Sequence, residues 1–171
     1  MRLSDFKKCG FLTLLTVLFF WPQSAASGAP EIYSGRVISV QDGDTLTLQT
    51  VDFERLRVRF YGIDAPEKNQ SMGPQSAEAL KKLVDGRDVT VEVIDTDRYS
   101  RAVALVRLDQ TLINLTMVEE GWAWLYPQYC KLKDVCTLVS AAEQKAKNSG
   151  LGLWREKDPT PPWQWRRNKR Q

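Results

Sequence analysis

The chain has 171 residues, of which 43% are hydrophobic and 26% charged, and this composition suits a single globular core with a formal net charge of +3. It contains no histidine, which excludes Ser-His-Asp and Cys-His catalysis, histidine general bases and histidine-ligated zinc. Its three cysteines are too few for a four-cysteine zinc site or an iron–sulfur cluster, so any catalysis must use carboxylates, arginines, lysines, tyrosines or a hard metal ion.

Residues 1–26 have the three-part pattern of a secretory signal peptide. Basic residues precede an apolar run from Phe11 to Trp21, and small residues follow it. This run is shorter than the roughly 20 residues that a permanent membrane span needs, which disfavours the alternative of an uncleaved anchor. We predict cleavage after Ala26, or after Gly28, with export to the periplasm or the cell exterior and no stable membrane span afterwards.

The remaining cysteines form a candidate disulfide. Cleavage removes Cys9 and leaves Cys130 and Cys136 as a pair in a compartment that permits disulfides. A bridge between them would close a short loop before the last predicted helix. The alternative is two reduced, partly buried thiols.

From Tyr33 onward, short β-branched runs alternate with turn signals, as in an antiparallel barrel or sandwich. The predicted strands are Tyr33–Val40, Thr45–Gln49, Leu56–Tyr61, Val89–Ile94 and Arg101–Arg107. The predicted helices run from Gly73-Pro74 to a stop at Gly86, from Asn114 to Glu120, and from about Cys136 to Lys147. This order predicts an α+β fold, mainly β, in which a five-stranded, partly open OB-fold barrel carries about three α-helices.

The barrel domain is predicted to span residues 27–154. Residues 155–171 form a tail rich in proline, tryptophan and basic residues, with six basic and two acidic side chains. The Pro-rich stretch from Asp158 to Trp163 predicts the end of packed structure. Two interpretations of the tail remain open: it contacts phosphates, or it is a disordered solubilising end.

Three segments, 42–45, 59–67 and 97–101, place charged residues at strand ends. Asp44 and Asp64 supply hard oxygen ligands of the kind that Ca²⁺ or Mg²⁺ prefers. Arg59 and Arg101 supply guanidinium groups that neutralise phosphoryl oxygens, and Glu67 supplies a further carboxylate that accepts a proton from an attacking water. Together these groups predict phosphoryl transfer without histidine.

At these residues the sequence resembles the thermonuclease family, whose prototype is staphylococcal nuclease, a Ca²⁺-dependent OB-fold nuclease. The resemblance runs from about Tyr33 to Trp154. It rests on Asp42-Gly43-Asp44-Thr45, Arg59, Asp64-x-Pro66-Glu67, Gly73-Pro74, Asp97-x-Tyr99-x-Arg101, Asn114, Gly121-x-Ala123 and Gly152-Leu153-Trp154.

The resemblance also implies roles for individual residues. It implies that Asp44, Asp64 and the backbone carbonyl of Ala65 bind Ca²⁺, that Glu67 is the general base, and that Arg59 and Arg101 bind the phosphate and stabilise the transition state. Arg98, Tyr99 and Tyr129 match substrate-binding positions. Another tyrosine of that site has no clear counterpart, because Tyr126 falls one residue out of register.

The predicted function is that of an exported, Ca²⁺-dependent, sugar-nonspecific nuclease. It would hydrolyse phosphodiester bonds of DNA and RNA as a monomer, with a preference for single strands, and the resemblance implies 3′-phosphate ends. The alternative is an OB-fold nucleic-acid-binding module that has lost catalysis. The ligand set would also accept Mg²⁺ or Mn²⁺.

Overall fold

The computed structural model describes residues 30–170, which form a β-barrel with helices packed around it. The strands are β1 (Glu31–Asp42), β2 (Thr45–Thr50), β3 (Arg55–Phe60), β4 (Ile63–Asp64), β5 (Asp88–Thr96), β6 (Ala102–Leu108), β7 (Thr111–Leu112) and β8 (Trp124–Leu125). The α-helices are α1 (Gly73–Val84), α2 (Ile113–Glu119), α3 (Lys133–Asn148) and α4 (Pro162–Asn168), and two 3-10 helices span Pro127–Tyr129 and Gly152–Arg155.

Five strands close the barrel. β1 pairs antiparallel with β2 and β5, β2 pairs antiparallel with β3, and β5 pairs antiparallel with β6. The barrel closes through a parallel pairing of β3 with β6, in which Arg59 lies opposite Val103. The predicted five-stranded OB-like barrel is therefore confirmed. The strand pair that closes the barrel is parallel, whereas the sequence pattern predicted an antiparallel barrel.

The core lies inside the barrel and beneath α1, α2 and α3. Val58 and Phe60 of β3 are buried, whereas Arg57, which precedes Val58, is exposed, as the alternating pattern predicts. α1 packs on β1, and α2 packs on both β6 and α3. Burial of this apolar face leaves Arg59 on the opposite side of β3.

A buried asparagine ties α2 to the barrel. Asn114 Oδ1 accepts a hydrogen bond from Val106 N at 2.9 Å, and its Nδ2 donates to Ala104 O at 3.0 Å and to Tyr61 O at 3.1 Å. The side chain thereby supplies buried hydrogen bonds to backbone groups of β6 and of Tyr61, the residue after β3.

A disulfide joins Cys130 and Cys136, whose Cα atoms are 5.7 Å apart. The residues after Cys130 are held against the barrel because the Tyr61 hydroxyl accepts hydrogen bonds from the backbone N–H groups of Lys131 at 2.5 Å and Leu132 at 2.8 Å. The disulfide and this tyrosine together fix the loop that leads into α3.

Packed structure continues beyond the Pro-rich stretch, so the prediction that it stops there is wrong. Pro162 occupies the first position of α4, where its fixed φ favours a helix and its missing N–H costs no hydrogen bond. Pro162 is buried, and the preceding Thr160 accepts a hydrogen bond through its carbonyl from Gln70 Nε2 at 2.5 Å. The prolines thus begin a fourth α-helix.

The predictions about the N-terminal segment concern residues that precede residue 30. The signal peptide at residues 1–26 and Cys9 lie outside the part of the chain that the structure describes. Among the helices from residue 30 to residue 170, none has the length and apolar character needed to cross a membrane.

Candidate active site

A cleft of about 990 Å³ opens on one side of the barrel and is bounded on its other side by α4. All nine predicted metal, catalytic and substrate-binding residues line it: Asp44, Arg59, Asp64, Ala65, Glu67, Arg98, Tyr99, Arg101 and Tyr129. These residues come from separate segments of the chain, and the fold brings them to one place.

Two buried aspartates lie on either side of one arginine at the base of the cleft. Arg59 Nη1 is 2.8 Å from Asp44 Oδ2, and Arg59 Nη2 is 2.7 Å from Asp64 Oδ1. Asp44 lies in the turn between β1 and β2, Arg59 is in β3, and Asp64 is in β4. The guanidinium fork therefore holds the two carboxylates in a fixed relation.

Burial shifts the proton affinities of these groups. It raises the pKa of the Asp44 carboxyl well above its usual range, although the Arg59 guanidinium acts in the opposite direction. Burial likewise raises the pKa of Asp64, against the effect of Arg59 and Arg166. Burial alone would lower the pKa of Arg59, but the two aspartates outweigh it, so the Arg59 pKa is raised. At both aspartates the effect of burial thus exceeds the effect of the nearby cations, so the negative charge of these carboxylates is only partly compensated.

Ala65 contributes its backbone to the same cluster. Its N–H donates to Asp44 Oδ2 at 2.5 Å, which links the β1–β2 turn to the segment after β4. The turn approaches so closely that a Cβ on Gly43 would lie 2.8 Å from Ala65 Cβ and 1.8 Å from Ser76 Oγ. Only glycine allows this approach, which positions Asp44.

Glu67 lies at the edge of the cleft beside an arginine from α4. Arg166 Nη1 is 2.8 Å from Glu67 Oε1, and Arg166 also binds both carboxylate oxygens of Asp64, at 2.7 and 3.2 Å. The pKa of Arg166 is raised because the two carboxylates outweigh its partial burial. The loop that carries Glu67 is fixed by Gln70, which accepts from Glu67 N at 3.2 Å and donates through its own backbone N to Glu67 O at 2.9 Å.

Arg101 is oriented by an aspartate on the turn before β6. Its Nε and Nη2 each lie 2.7 Å from Asp97 Oδ2, while Asp97 Oδ1 accepts from the backbone N–H groups of Tyr99 at 2.8 Å and Arg101 at 3.0 Å. Burial opposes these hydrogen bonds, but they prevail and lower the pKa of Asp97. The Arg98 guanidinium lies 4.8 Å from the centre of the exposed Tyr99 ring. This turn therefore presents two arginines and one tyrosine to the cleft.

Aromatic rings form another part of the cleft wall. Tyr126 and Tyr129 have ring centres 4.6 Å apart, and Trp163 of α4 stacks on Tyr126 at 5.2 Å with an interplanar angle of 5°. The backbone N–H of Tyr126 donates to Gly62 O at 2.9 Å, which brings this residue to the cleft although its spacing is one residue out of register with the family pattern.

The cleft residues that were not among the predicted site residues include Tyr126, Trp163 and Arg166. A local signal for two of them is present in the sequence. Trp163, Arg166, Arg167 and Arg170 recur at the i, i+3, i+4, i+7 spacing of one helix face, directly after a proline that suits a helix start.

The donor atoms of the site suit a hard metal ion, though few of them belong to side chains. Among residues 30–170, no group of three or more cysteine, aspartate and glutamate side chains is arranged to hold a metal ion. Asp44 and Asp64 offer carboxylate oxygens, so a bound dication would complete its shell with backbone carbonyl and water oxygens.

Comparison with known proteins identifies the family of the chain. The profile of the family described as staphylococcal nuclease homologues matches residues 57–156. An Escherichia coli O157:H7 protein named as an uncharacterized endonuclease is 37% identical over 161 residues, which cover 93% of this chain and 98% of that protein. The chain belongs to the staphylococcal nuclease family.

Other relatives have similar names. A Haemophilus influenzae protein, also named as an uncharacterized endonuclease, is 39% identical over 135 residues, covering 79% of this chain and 74% of its own length. A Shigella flexneri protein named micrococcal nuclease is 35% identical over 144 residues, covering 79% of this chain and 81% of its own.

Membership in the staphylococcal nuclease family confirms the predicted resemblance and, with it, a hydrolase of the nuclease class. The profile of the staphylococcal nuclease family includes Arg59, Asp64, Glu67 and Arg101 but ends at residue 156. α4 therefore lies outside the matched region, although it forms one side of the cleft.

Proposed function

We propose that this protein is an exported, Ca²⁺-dependent, sugar-nonspecific nuclease that hydrolyses phosphodiester bonds of DNA and RNA to leave 3′-phosphate ends. The observation that carries the proposal is the pair of buried carboxylates, Asp44 and Asp64, held by Arg59 in one cleft with Glu67 and Arg101. A binding module has no need for two desolvated carboxylates beside a further acid. Burial of such charge is costly unless a cation compensates it.

The proposed metal ligands are Asp44, Asp64 and the backbone carbonyl of Ala65. Their all-oxygen chemistry matches the preference of Ca²⁺, and the buried carboxylates leave negative charge that a dication neutralises. When bound, Ca²⁺ supplies Lewis-acid stabilisation of a phosphoryl oxygen.

Glu67 is the proposed general base, which removes a proton from the attacking water. Its side chain is 38% exposed, so water reaches it, and Gln70 fixes the backbone on which it is held. Arg59 and Arg101 are the proposed arginines for the transition state. Both are pre-oriented by carboxylates, and oriented donors stabilise developing phosphoryl charge without reorganising during the reaction.

Arg98, Tyr99 and Tyr129 are the proposed substrate contacts. Tyr99 and Tyr129 are 60% and 61% exposed, so their rings are accessible to bases, and Arg98 lies beside Tyr99. Unpaired bases stack on exposed aromatic rings without regard to sequence, which supports a preference for single strands. We propose that the protein acts as a monomer.

The proposal of export rests on the predicted signal peptide and on the cysteines. The Cys130–Cys136 disulfide is consistent with an oxidising compartment such as the periplasm or the cell exterior.

The test is hydrolysis of denatured DNA and of RNA by the mature protein with Ca²⁺, with Mg²⁺ and with a chelator. Glu67→Gln and Arg101→Ala should each lower kcat by about 100- to 10,000-fold. Glu78→Gln and Arg107→Ala are matched controls, because both residues are exposed and lie outside the cleft, and they should retain activity. The 3′-phosphate assignment predicts products that a polymerase extends only after phosphatase treatment.

Cleavage of both polymers with Ca²⁺ and its loss with the chelator would support the proposal. A folded protein that binds single strands and cleaves neither polymer with any metal would instead support the alternative, a catalytically inactive nucleic-acid-binding module.

A further inference from the structure

The charge of the cleft depends on which parts of the chain form it. Six carboxylates line the cleft: Asp42, Asp44, Asp64, Glu67, Asp95 and Asp97. Six arginines line it as well, and three of them, Arg166, Arg167 and Arg170, come from α4 and the turn that follows it. Without this segment the barrel would present six carboxylates against three guanidinium groups, a surface that repels a polyanion.

Contacts away from these charges hold α4 in place. Trp163 stacks on Tyr126, and the carbonyl of Thr160 accepts a hydrogen bond from Gln70 Nε2. The hydroxyl of Ser71 binds Glu156 on the segment that leads to α4. The helix is therefore positioned by the barrel and its loops, so its basic face has a defined direction.

Two of the three arginines are available for a ligand. Arg166 is engaged with Asp64 and Glu67. Arg167 and Arg170 are exposed, and within residues 30–170 neither forms an ion pair with a carboxylate. Unpaired guanidinium groups beside a stacked Tyr126–Trp163 pair match a chain of phosphates with unstacked bases.

We propose that α4 is the second half of the substrate-binding cleft, in which Arg167 and Arg170 bind the phosphodiester backbone of single-stranded nucleic acid beside the scissile phosphate. This inference rests on the proposed function for the identity of the ligand. It assigns phosphate binding to a segment outside the region that the family profile matches. Arg167 and Arg170 are thus binding residues, separate from the groups that perform the chemistry.

The test measures binding without cleavage, in the full chain carrying Glu67→Gln and with Ca²⁺ present. Fluorescence anisotropy gives the Kd for a labelled single strand of about 12 nucleotides between about 50 and 200 mM salt. Adding Arg167→Gln and Arg170→Gln should raise Kd about tenfold at the lower salt concentration. The slope of log Kd against log salt should fall by about 1.4, since each phosphate contact on a single strand contributes about 0.7.

Two further double variants test whether the effect depends on the position and on the charge of these arginines. Lys81→Gln with Lys82→Gln removes the same charge from exposed positions of α1 outside the cleft, and Kd should stay within about twofold. Arg167→Lys with Arg170→Lys keeps the charge and should retain most of the affinity, because the neutralisation of phosphates depends on charge. An unchanged Kd and slope in the double glutamine variant, or an equal change in the α1 control, would overturn the inference.

The same measurements separate this inference from the proposed function. If the wild-type protein cleaves nucleic acid but the double glutamine variant binds as its parent does, the inference alone fails. If the wild-type protein cleaves nothing while affinity still depends on Arg167 and Arg170, the proposed function fails and the binding role of α4 stands.

Discussion

Arg166 Nη2 lies 2.7 Å from Asp64 Oδ2, although 102 positions separate these residues along the chain. Arg59 binds the same aspartate from β3, also at 2.7 Å, so the Asp64 carboxylate lies between two guanidinium groups. One of them belongs to the barrel and the other to the C-terminal helix.

Removing Arg166 should strengthen Ca²⁺ binding at the proposed site. Arg166→Gln takes a cation away from both Asp64 and Glu67, so a dication no longer competes with that guanidinium for Asp64. The expected gain is about tenfold in affinity, which corresponds to about 1.4 kcal/mol. Isothermal titration calorimetry with Ca²⁺ measures it.

Arg155→Gln is the matched control, because Arg155 is exposed and does not line the cleft. It makes the same change in net charge and should leave the Ca²⁺ affinity within about twofold. Weaker Ca²⁺ binding in Arg166→Gln would show that this arginine supports the metal site.

Gly73→Ala should lower kcat by displacing Glu67. A Cβ at residue 73 would lie 1.9 Å from the carbonyl oxygen of Glu67, a backbone atom that moves only with its loop. A misplacement of about 1 Å at a reacting group costs up to about 100-fold in rate. Steady-state kinetics on denatured DNA should show this loss mainly in kcat.

The control is Gly86→Ala. Gly86 has φ of 68°, and an added Cβ meets no atom within 4 Å, so the substitution costs about 1 kcal/mol of backbone strain away from the cleft. Its kcat should match the wild type. Equal kcat values for the two alanine variants would contradict the positioning role of Gly73.

Asn114→Ala should destabilise the fold by about 3 kcal/mol. The variant leaves Val106 N–H and the carbonyls of Ala104 and Tyr61 without the partner that Asn114 provides in the interior. Urea unfolding measures the change. Asn148→Ala, at an exposed position at the end of α3, should change the free energy of unfolding by at most about 0.5 kcal/mol. A loss below about 1 kcal/mol for Asn114→Ala would mean that water replaces the side chain.

Asp97→Asn should remove a pH-dependent contribution to stability. The pKa of Asp97 is lowered in the folded protein, so its stabilisation is complete above the unfolded pKa of about 4 and is lost as the pH falls through the folded value. The difference in free energy of unfolding between wild type and variant should be constant from about pH 6 to 8 and shrink below about pH 4. Denaturant unfolding across this range measures it, and a difference that grows in acid would contradict the assignment.

Local sequence patterns were sufficient to predict the barrel and the charged groups at its strand ends. The roles of Ala65, Arg98, Tyr99 and Tyr129 came from the family resemblance. Alternation in β3 placed Val58 and Phe60 inside and Arg59 on the other face, because successive strand residues point in opposite directions. The parallel closure of β3 on β6 was not predictable in this way, since it depends on how distant strands pack.

The tail shows why the remaining part of the site was missed. A pair of prolines is compatible with the end of packed structure or with the start of a helix. In this chain the helix is held by contacts of Thr160 with Gln70 and of Trp163 with Tyr126, and these partners lie far away in sequence. The pairing of Arg166 with Asp64 likewise has no local signature. Tyr126 was set aside on spacing alone, whereas its hydrogen bond to Gly62 brings it to the cleft.

The charge balance of the cleft relates the residues of the C-terminal segment to the ionic strength at which the protein works. The carboxylates belong to the barrel and its loops, whereas Arg167 and Arg170 are exposed side chains on a peripheral segment and make no contribution to the core. With the inferred role of α4, substitutions at these two positions would set the ionic strength at which the protein works. Relatives that work at high and at low ionic strength would then carry different residues at these two positions on the same barrel.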